Sequence, residues 1–232
     1  MDNKIEFLLK GKYALFTDPV TKIGGEKSSY YLPTYQALKG ITESIYWKPT
    51  IVWIVDKVRI MHKIQTESKN VKPLQMDGQY GTNRHDLSIY SYLRDVEYQV
   101  QAHFEWNMMR EDLAIDRNED KHFQIALRMI DKGGRRDIFL GSRECQGYVE
   151  PCRFGVNEGP YDNEGELSYG LMFHSFEYPS ESGIEKLSAR FWQAKIKKGT
   201  IEFPRPEKCP YKREIGPMEY EIVAVNTEEV IE

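Results

Sequence analysis

The sequence predicts an α+β fold, from the order and patterning of its segments. Segments rich in β-forming and aromatic residues alternate with two segments whose apolar residues recur at helical spacing. Their order up to Cys152 is strand, helix, strand, strand, helix, strand, which is the ferredoxin-like split arrangement, an RRM-like RNA-binding scaffold. Beyond Cys152, a glycine-containing loop precedes short strand-like runs. We therefore predict a ferredoxin-like domain over 1–152 and a small antiparallel β-domain over 153–232, which ends in an acidic tail.

The first half of the chain predicts one helix between strands. The helix begins near Pro33, carries apolar residues at helical spacing, and stops before Pro49. Residues 18–29 and 66–84 are polar and contain proline and glycine, so we expect a loop at the first and a loop or loosely held hairpin at the second. The predicted strands are 5–16, one long or two paired strands over 50–64, and 96–106.

The second predicted helix is the best-defined element. Asn118 can cap its N-terminus, and the glycines at 133–134 end it. An apolar stripe follows the i, i+3, i+4, i+7 pattern of a core-facing helix, and its members are Phe123, Ala126, Leu127 and Ile130. A strand pair or bent strand follows over 139–152. The C-terminal strands are predicted at 171–178, 190–195 and 200–203, with a turn at Lys198–Gly199.

Composition limits the class of protein. The 232 residues are 40% hydrophobic and 29% charged, as in a globular chain of one large or two small domains. A mean hydropathy of −0.62 and the lack of a long apolar run argue against a membrane-spanning helix. The first residues lack a secretory signal pattern, so we expect a cytoplasmic protein without a membrane partner. Three cysteines without CxxC spacing predict neither a disulfide framework nor a zinc site.

Charge is unevenly distributed along the chain. The net charge is −4, but residues 217–232 hold five acids and no Lys or Arg, whereas residues 121–143 hold six bases and two acids. Local field attracts phosphate more than total charge does. The basic segment is therefore a candidate RNA-binding surface, although such runs are also common on solvated faces. Its candidate RNA-binding residues are Arg128, Lys132, Arg135, Arg136 and Arg143.

The catalytic candidates are Lys121 and His122, because they lie at the N-terminus of the second helix, where free N–H groups favour anions. Imidazole can act as acid or base near neutral pH, and an ammonium can stabilise a developing phosphorane charge. Tyr46 ends the first helix and can approach the second. A metal-free RNA cleavage, in which the 2′-hydroxyl attacks the phosphorus, suits these groups. Each also has a structural interpretation, as a surface pair or a core-edge aromatic. The strand-like surroundings of His62, His103 and His174 favour structural roles.

A series of motifs resembles the CRISPR-associated Dvulg-subtype (type I-C) endoribonucleases of the RAMP superfamily, which process precursor CRISPR RNA. The motifs are YALFTDPVT at 13–21, SYYLPT at 29–34, GITESIYWKP at 40–49, YLRDVEY at 92–98, AHF at 102–104, LGSREC at 140–145, RFWQAK at 190–195 and GTIEFP at 199–204. The resemblance implies metal-independent cleavage of the repeat hairpin without a cofactor, with 5′-hydroxyl and 2′,3′-cyclic phosphate ends. It also implies retention in a type I-C interference complex with other protein subunits, and it places the catalytic Tyr, Lys and His on Tyr46, Lys121 and His122.

Three other functions stay open on the sequence alone. A non-catalytic subunit that holds the 5′ handle of the RNA would bind the hairpin without cutting it. A metal-dependent DNA nuclease would use carboxylates such as Asp112, Asp116 and Asp120, whose i, i+4, i+8 spacing is more typical of a solvated helix face or a cap. A structural module would not bind RNA at all.

Overall fold

The computed structural model describes residues 3–17, 26–72 and 87–219. Parts of the predicted loop at 18–29 and of the segment at 66–84, and the acidic tail from residue 220, lie outside the described residues. The strands are β1 Ile5–Ala14, β2 Lys27–Ser28, β3 Ile51–Ile60, β4 Thr66–Val71, β5 Ser88–Trp106, β6 Ile138–Phe139, β7 Gln146–Pro151, β8 Glu166–Glu177, β9 Lys186–Lys197, β10 Thr200–Glu202 and β11 Tyr211–Pro217. The helices are α1 Tyr35–Ile45, α2 Glu119–Asp131 and α3 Pro179–Ser182, with 3₁₀ turns at Glu111–Asp116 and Pro206–Lys208. No helix in the described part of the chain is long and apolar enough to cross a bilayer.

The fold is a mixed α/β fold built on a large, mainly antiparallel sheet. Strands β3, β5, β1 and β7 lie side by side in that order, and each neighbouring pair is antiparallel. Alternate residues of β1, including Ile5, Phe7 and Leu9, have no exposed surface, as expected for a strand with one face on the core. Helix α1 follows β1 and α2 follows β5, and the two helices contact each other as well as the sheet.

Both long helices begin at the caps that the sequence provides. The Thr34 hydroxyl accepts the N–H of Ala37 at 3.2 Å, and the Asn118 side chain accepts that of Lys121 at 3.0 Å. The first helix stops before Pro49, as predicted. It ends at Ile45, and Tyr46, the residue predicted to end it, has extended backbone angles and donates its N–H to the Thr42 carbonyl.

The central strands differ in length from the predicted ones. The segment at 50–64 forms the single strand β3, with a bulge between Val55 and Lys57, and β5 begins at Ser88 rather than at residue 96. The first part of the polar segment at 66–84 forms β4, which pairs with β5 from Thr66 to Val71. Cross-strand hydrogen bonds therefore override the polar composition of this segment. The segment at 139–152 is the predicted strand pair, β6 and β7.

The C-terminal strands join the edge of the same sheet. Strands β8 and β9 pair along most of their length, and the turn at Lys198–Gly199, where both residues have positive φ, leads into β10. Strand β10 pairs with β3, and β11 pairs with the other side of β9. The division into domains at 1–152 and 153–232 stays a prediction, and hydrogen bonds between β10 and β3 connect the two segments.

Candidate active site and nucleic-acid interface

Tyr46 is held at the C-terminal end of α1 by backbone contacts. Its N–H donates to the Thr42 carbonyl at 3.1 Å, and its own carbonyl accepts the indole N–H of Trp53 at 2.6 Å. The side chain is only 2% exposed. Burial, reinforced by the negative charge of Asp116 and opposed by Arg135, raises the pKa of the Tyr46 hydroxyl to about 12. The phenol is therefore protonated at neutral pH.

His122 lies in the first turn of α2 and has no exposed surface. Its Nδ1 lies 2.7 Å from the Tyr46 hydroxyl, and its Nε2 lies 2.9 Å from the backbone carbonyl of Asp116. The rings of Phe104 and Trp106 pack edge-on against the imidazole, with centroids 6.0 and 5.7 Å away. The aromatic end of β5 therefore covers the His122 ring.

The hydrogen bonds of His122 define the roles of its two nitrogens. A carbonyl oxygen only accepts, so Nε2 carries a hydrogen that is donated to Asp116. In the neutral imidazole, Nδ1 is then the acceptor, and the Tyr46 hydroxyl donates to it. The phenolic proton of Tyr46 is thus aimed at the basic nitrogen of His122, which is a geometry suited to proton transfer between the two groups.

Asp116 connects Lys121 to this pair. Its carboxylate accepts from Lys121 Nζ at 2.6 Å and from the Thr50 hydroxyl at 2.9 Å, and it lies 3.4 Å from His122 Nε2. Although burial opposes ionisation, the bonds from Lys121 and Thr50 keep the pKa of Asp116 below its usual range. The Lys121 side chain is 53% exposed, so its ammonium faces solvent while one carboxylate orients it.

The structure therefore brings the three predicted catalytic residues into one network. Tyr46 contacts His122 directly, and Lys121 reaches His122 through Asp116. Sequence reasoning did not assign Asp116 or Thr50 to this network. Asp116 precedes the helix cap by two residues, so its closeness to Lys121 in the chain was a usable signal. Thr50 is distant in sequence and carries no such signal.

The five predicted RNA-binding side chains are all exposed, and none forms an ion pair with another described residue. Two of them lie next to the Tyr46 end of α1. The backbone N–H groups of Arg135 and Arg136 donate to the Ser44 carbonyl at 3.2 and 3.0 Å, which joins the turn after α2 to the end of α1. Arg135 and Arg136 also line a surface groove between this turn and β7. Arg128, Lys132 and Arg143 lie on the surface at α2, its C-terminal end and the β6–β7 connection.

The three carboxylates of the alternative nuclease function do not share a helix. Asp112 and Asp116 belong to the 3₁₀ turn, whereas Asp120 lies in the first turn of α2. Asp112 is bound by Arg110 at 2.6 Å, and Asp116 is bound by Lys121. Among the described residues, no group of three or more His, Cys, Asp or Glu side chains is placed to hold a metal ion.

The other described histidines have structural partners. His103 Nδ1 lies 2.9 Å from Asp56, whose hydrogen bond raises the pKa of the imidazole. His174 is fully buried and bonds to Ser175 and to the Pro204 carbonyl. His62 was predicted to lie in a strand, but β3 ends at Ile60 and the His62 side chain is 53% exposed.

Known proteins match this chain in sequence and in structure. A family model described as CRISPR-associated protein (Cas_Cas5) matches residues 4–204. The chain is 27% identical over 239 residues to the CRISPR pre-crRNA endoribonuclease Cas5d of Mannheimia succiniciproducens, covering 88% of this chain and 96% of that protein. It is 26% identical over 214 residues to the protein of the same name from Thermus thermophilus, covering 84% and 88%. A crystal structure of a CRISPR-associated protein is similar with a TM-score of 0.75 and 38% identity, covering 90% of this chain and 96% of that one.

Proposed function

This chain belongs to the Cas5d family of CRISPR-associated proteins, and from that premise we propose that it is an endoribonuclease that cleaves CRISPR repeat hairpins in precursor RNA. The observation that carries the proposal is the 2.7 Å contact between the Tyr46 hydroxyl and His122 Nδ1. Lys121 is connected to this pair through the carboxylate of Asp116. The names of the two relatives, both pre-crRNA endoribonucleases, support the same substrate class. Arg135 and Arg136, next to the Tyr46 end of α1, have no acidic partner among the described residues and suit a phosphate backbone.

In the proposed reaction, the ribose 2′-oxygen forms a bond to the adjacent phosphorus and the bond to the 5′-oxygen breaks. The 2′-hydroxyl passes its proton to Tyr46, which passes its own to His122 Nδ1. This relay never requires a free phenolate, which agrees with the raised pKa of Tyr46. Lys121 stabilises the negative charge on the phosphoryl oxygens. The proton taken up at His122 Nδ1 returns through the Tyr46 hydroxyl to the leaving 5′-oxygen, because Nε2 is bonded to the Asp116 carbonyl. The products carry a 2′,3′-cyclic phosphate and a 5′-hydroxyl.

We also propose the finer description of the fold and of the partners. The strand order β3–β5–β1–β7, with helices after β1 and β5, supports a ferredoxin-like N-terminal domain over 1–152. Strands β8 to β11 support a small β-domain within 153–232. The substrate is a precursor RNA repeat, and the protein stays with its product as a subunit of a type I-C complex. The five exposed basic residues grip the RNA backbone.

The test is cleavage of labelled repeat RNA by the full chain in the presence of EDTA. The proposal expects product from the natural RNA and none from RNA with a single 2′-deoxy substitution at the cut site. Tyr46→Phe removes only the relay hydroxyl and should slow cleavage by about 10²–10⁴-fold while RNA binding persists. Tyr211→Phe, at an exposed tyrosine of β11, is the matched control and should cleave at the parental rate. Parental cleavage by Tyr46→Phe would exclude the assigned roles.

A second function is favoured by one specific observation. His122 has no exposed surface and Tyr46 is 2% exposed, so RNA must displace part of their cover before either residue can act. A subunit that only holds the 5′ handle needs no such opening. It would bind the repeat hairpin with an affinity that falls as salt rises, and would yield no product from either RNA. The same assay therefore separates the two functions.

A further inference from the structure

A cleft of about 410 Å³ lies between α1, the end of β5 and the C-terminal segment. Its volume lies within the roughly 300–1,000 Å³ typical of small-molecule sites. The apolar walls include Trp106, Met108 and Met109, which follow one another closely at the end of β5. Tyr35 of α1 also lines the cleft, and its side chain is buried.

Trp106 joins this cleft to the candidate active site. Its ring lies 5.7 Å from the His122 ring, centroid to centroid, and it also forms part of the cleft wall. The indole is half-buried, so one part of it contacts the core while another faces the cleft. A group in the cleft that contacts Trp106 therefore has only the Trp106 side chain between it and His122.

The charges of the cleft disfavour a phosphate. Three cations and four carboxylates line it, and each cation is already paired within the wall. Lys39 lies 2.5 Å from Glu181, Arg190 lies 2.5 Å from Glu177, and Arg205 lies 2.9 Å from Glu105. A phosphate would meet a net negative charge here, whereas an uncharged aromatic ring would meet sulfur, indole and hydrogen-bond acceptors. The fourth carboxylate, Glu207, also bonds to Arg205.

We propose that this cleft receives one unstacked nucleobase of the RNA beside the scissile phosphate, with Trp106 as its stacking platform. The inference rests on the proposed function, because only an RNA strand that reaches His122 can place a base next to Trp106. Binding one base here fixes the position of the cut relative to the strand.

The experiment uses the full chain and repeat RNA made uncleavable by a 2′-deoxy substitution at the cut site. The fluorescent base 2-aminopurine is placed at each nucleotide flanking the cut, one position at a time. We expect protein-dependent quenching at one position. An abasic site at that position should weaken binding to the parental protein by about 10- to 100-fold, the effect of losing one base–aromatic stack. Trp106→Ala should weaken binding to intact RNA by a similar factor, with no further loss on abasic RNA.

A second variant and a control keep the result interpretable. Met108 is 64% exposed, so Met108→Ala does not threaten folding. Like Trp106→Ala, it should reduce the loss of binding that the abasic site causes. Tyr211→Ala, far along β11, should retain the parental abasic effect. Tight binding without quenching at any position, or an abasic effect that survives Trp106→Ala, would overturn the inference. Cleavage of the natural RNA, measured in parallel, reports separately on the proposed function.

Discussion

Two histidines, one in each part of the chain, are buried completely and differ in their neighbours. In His122 of α2 and in His174 of β8, both ring nitrogens have a hydrogen-bond partner, and in both Nε2 faces a backbone carbonyl. The difference lies at Nδ1. It meets the phenol of Tyr46 in the first case and the hydroxyl of Ser175 in the second, at 2.7 and 2.9 Å.

The electrostatic surroundings of the two rings differ as well. His122 lies 3.4 Å from the carboxylate of Asp116, whereas His174 stacks on Tyr35 and senses the positive charge of Arg190. Burial, partly offset by the Pro204 carbonyl and reinforced by Arg190, lowers the pKa of His174 to about 4. Burial alone therefore does not define a reactive histidine. A phenol rather than a serine hydroxyl at Nδ1, and a nearby carboxylate rather than a nearby cation, distinguish the candidate active site from the core residue.

The largest expected effect comes from substituting each histidine by glutamine. We expect His122→Gln to slow RNA cleavage by about 10²–10⁴-fold, because the amide cannot take up the relayed proton. His174→Gln should cleave at the parental rate at temperatures where the protein stays folded. Single-turnover cleavage with excess protein measures the rate of each variant, and a thermal unfolding curve shows where each variant stays folded. Equal losses of activity would show that the two rings do not differ in function.

The next effect concerns acid stability. The unfolded chain protonates His174 below pH 6.5, whereas the folded protein does so only below about 4. Its contribution is thus fully present above pH 6.5 and is lost as the pH falls toward 4, by about 3 kcal/mol in the free energy of unfolding. His174→Gln should flatten the pH dependence over this interval in denaturant titrations. Leu171→Ala, at an exposed residue of β8 without an ionisable group, should leave the pH dependence unchanged, and a similar flattening there would contradict the assignment.

The sequence predicts the helices better than it predicts the site. Asn118, the predicted cap of the second helix, carries a local signal, because a cap bonds to backbone only three residues away. The burial of His122 carries none, since Phe104 and Trp106 cover it from another element of the fold. The family resemblance grouped Tyr46 with His122, whereas local patterns left their distance open. Strand β4 fits the hairpin alternative for the segment at 66–84. Composition did not separate a hairpin from a loop, because cross-strand bonds hold the polar residues of β4.

A smaller loss of stability is expected when a polar partner of either histidine ring is substituted. Asp116→Asn removes the charge that holds Lys121 and accepts from Thr50, but it leaves the backbone carbonyl bonded to His122. We expect a loss of about 1–3 kcal/mol in unfolding free energy, as for hydrogen bonds to a charged group. Ser175→Ala removes a neutral partner of His174 and should cost about 1 kcal/mol. Chemical denaturation at pH 7 compares the unfolding free energies of the two variants. An equal loss in both would show that the charged partner of His122 and the neutral partner of His174 do not differ in strength.

The smallest expected effect is on the salt dependence of RNA affinity, and it comes from substituting cations near each of the two histidines. Near His174, Arg190 and Lys212 both bind Glu177, whereas Arg135 and Arg136, beside Tyr46, have no acidic partner among the described residues. Glu177 offsets the charge of both of its partners, so neither Arg190 nor Lys212 presents its full positive charge to phosphate. Replacing Arg135 and Arg136 by glutamine should therefore reduce the slope of log affinity against log salt by about 1 for each lost phosphate contact. Lys212→Gln should leave that slope unchanged. An equal change in both proteins would mean that RNA senses the overall charge of the molecule rather than the unpaired cations beside Tyr46.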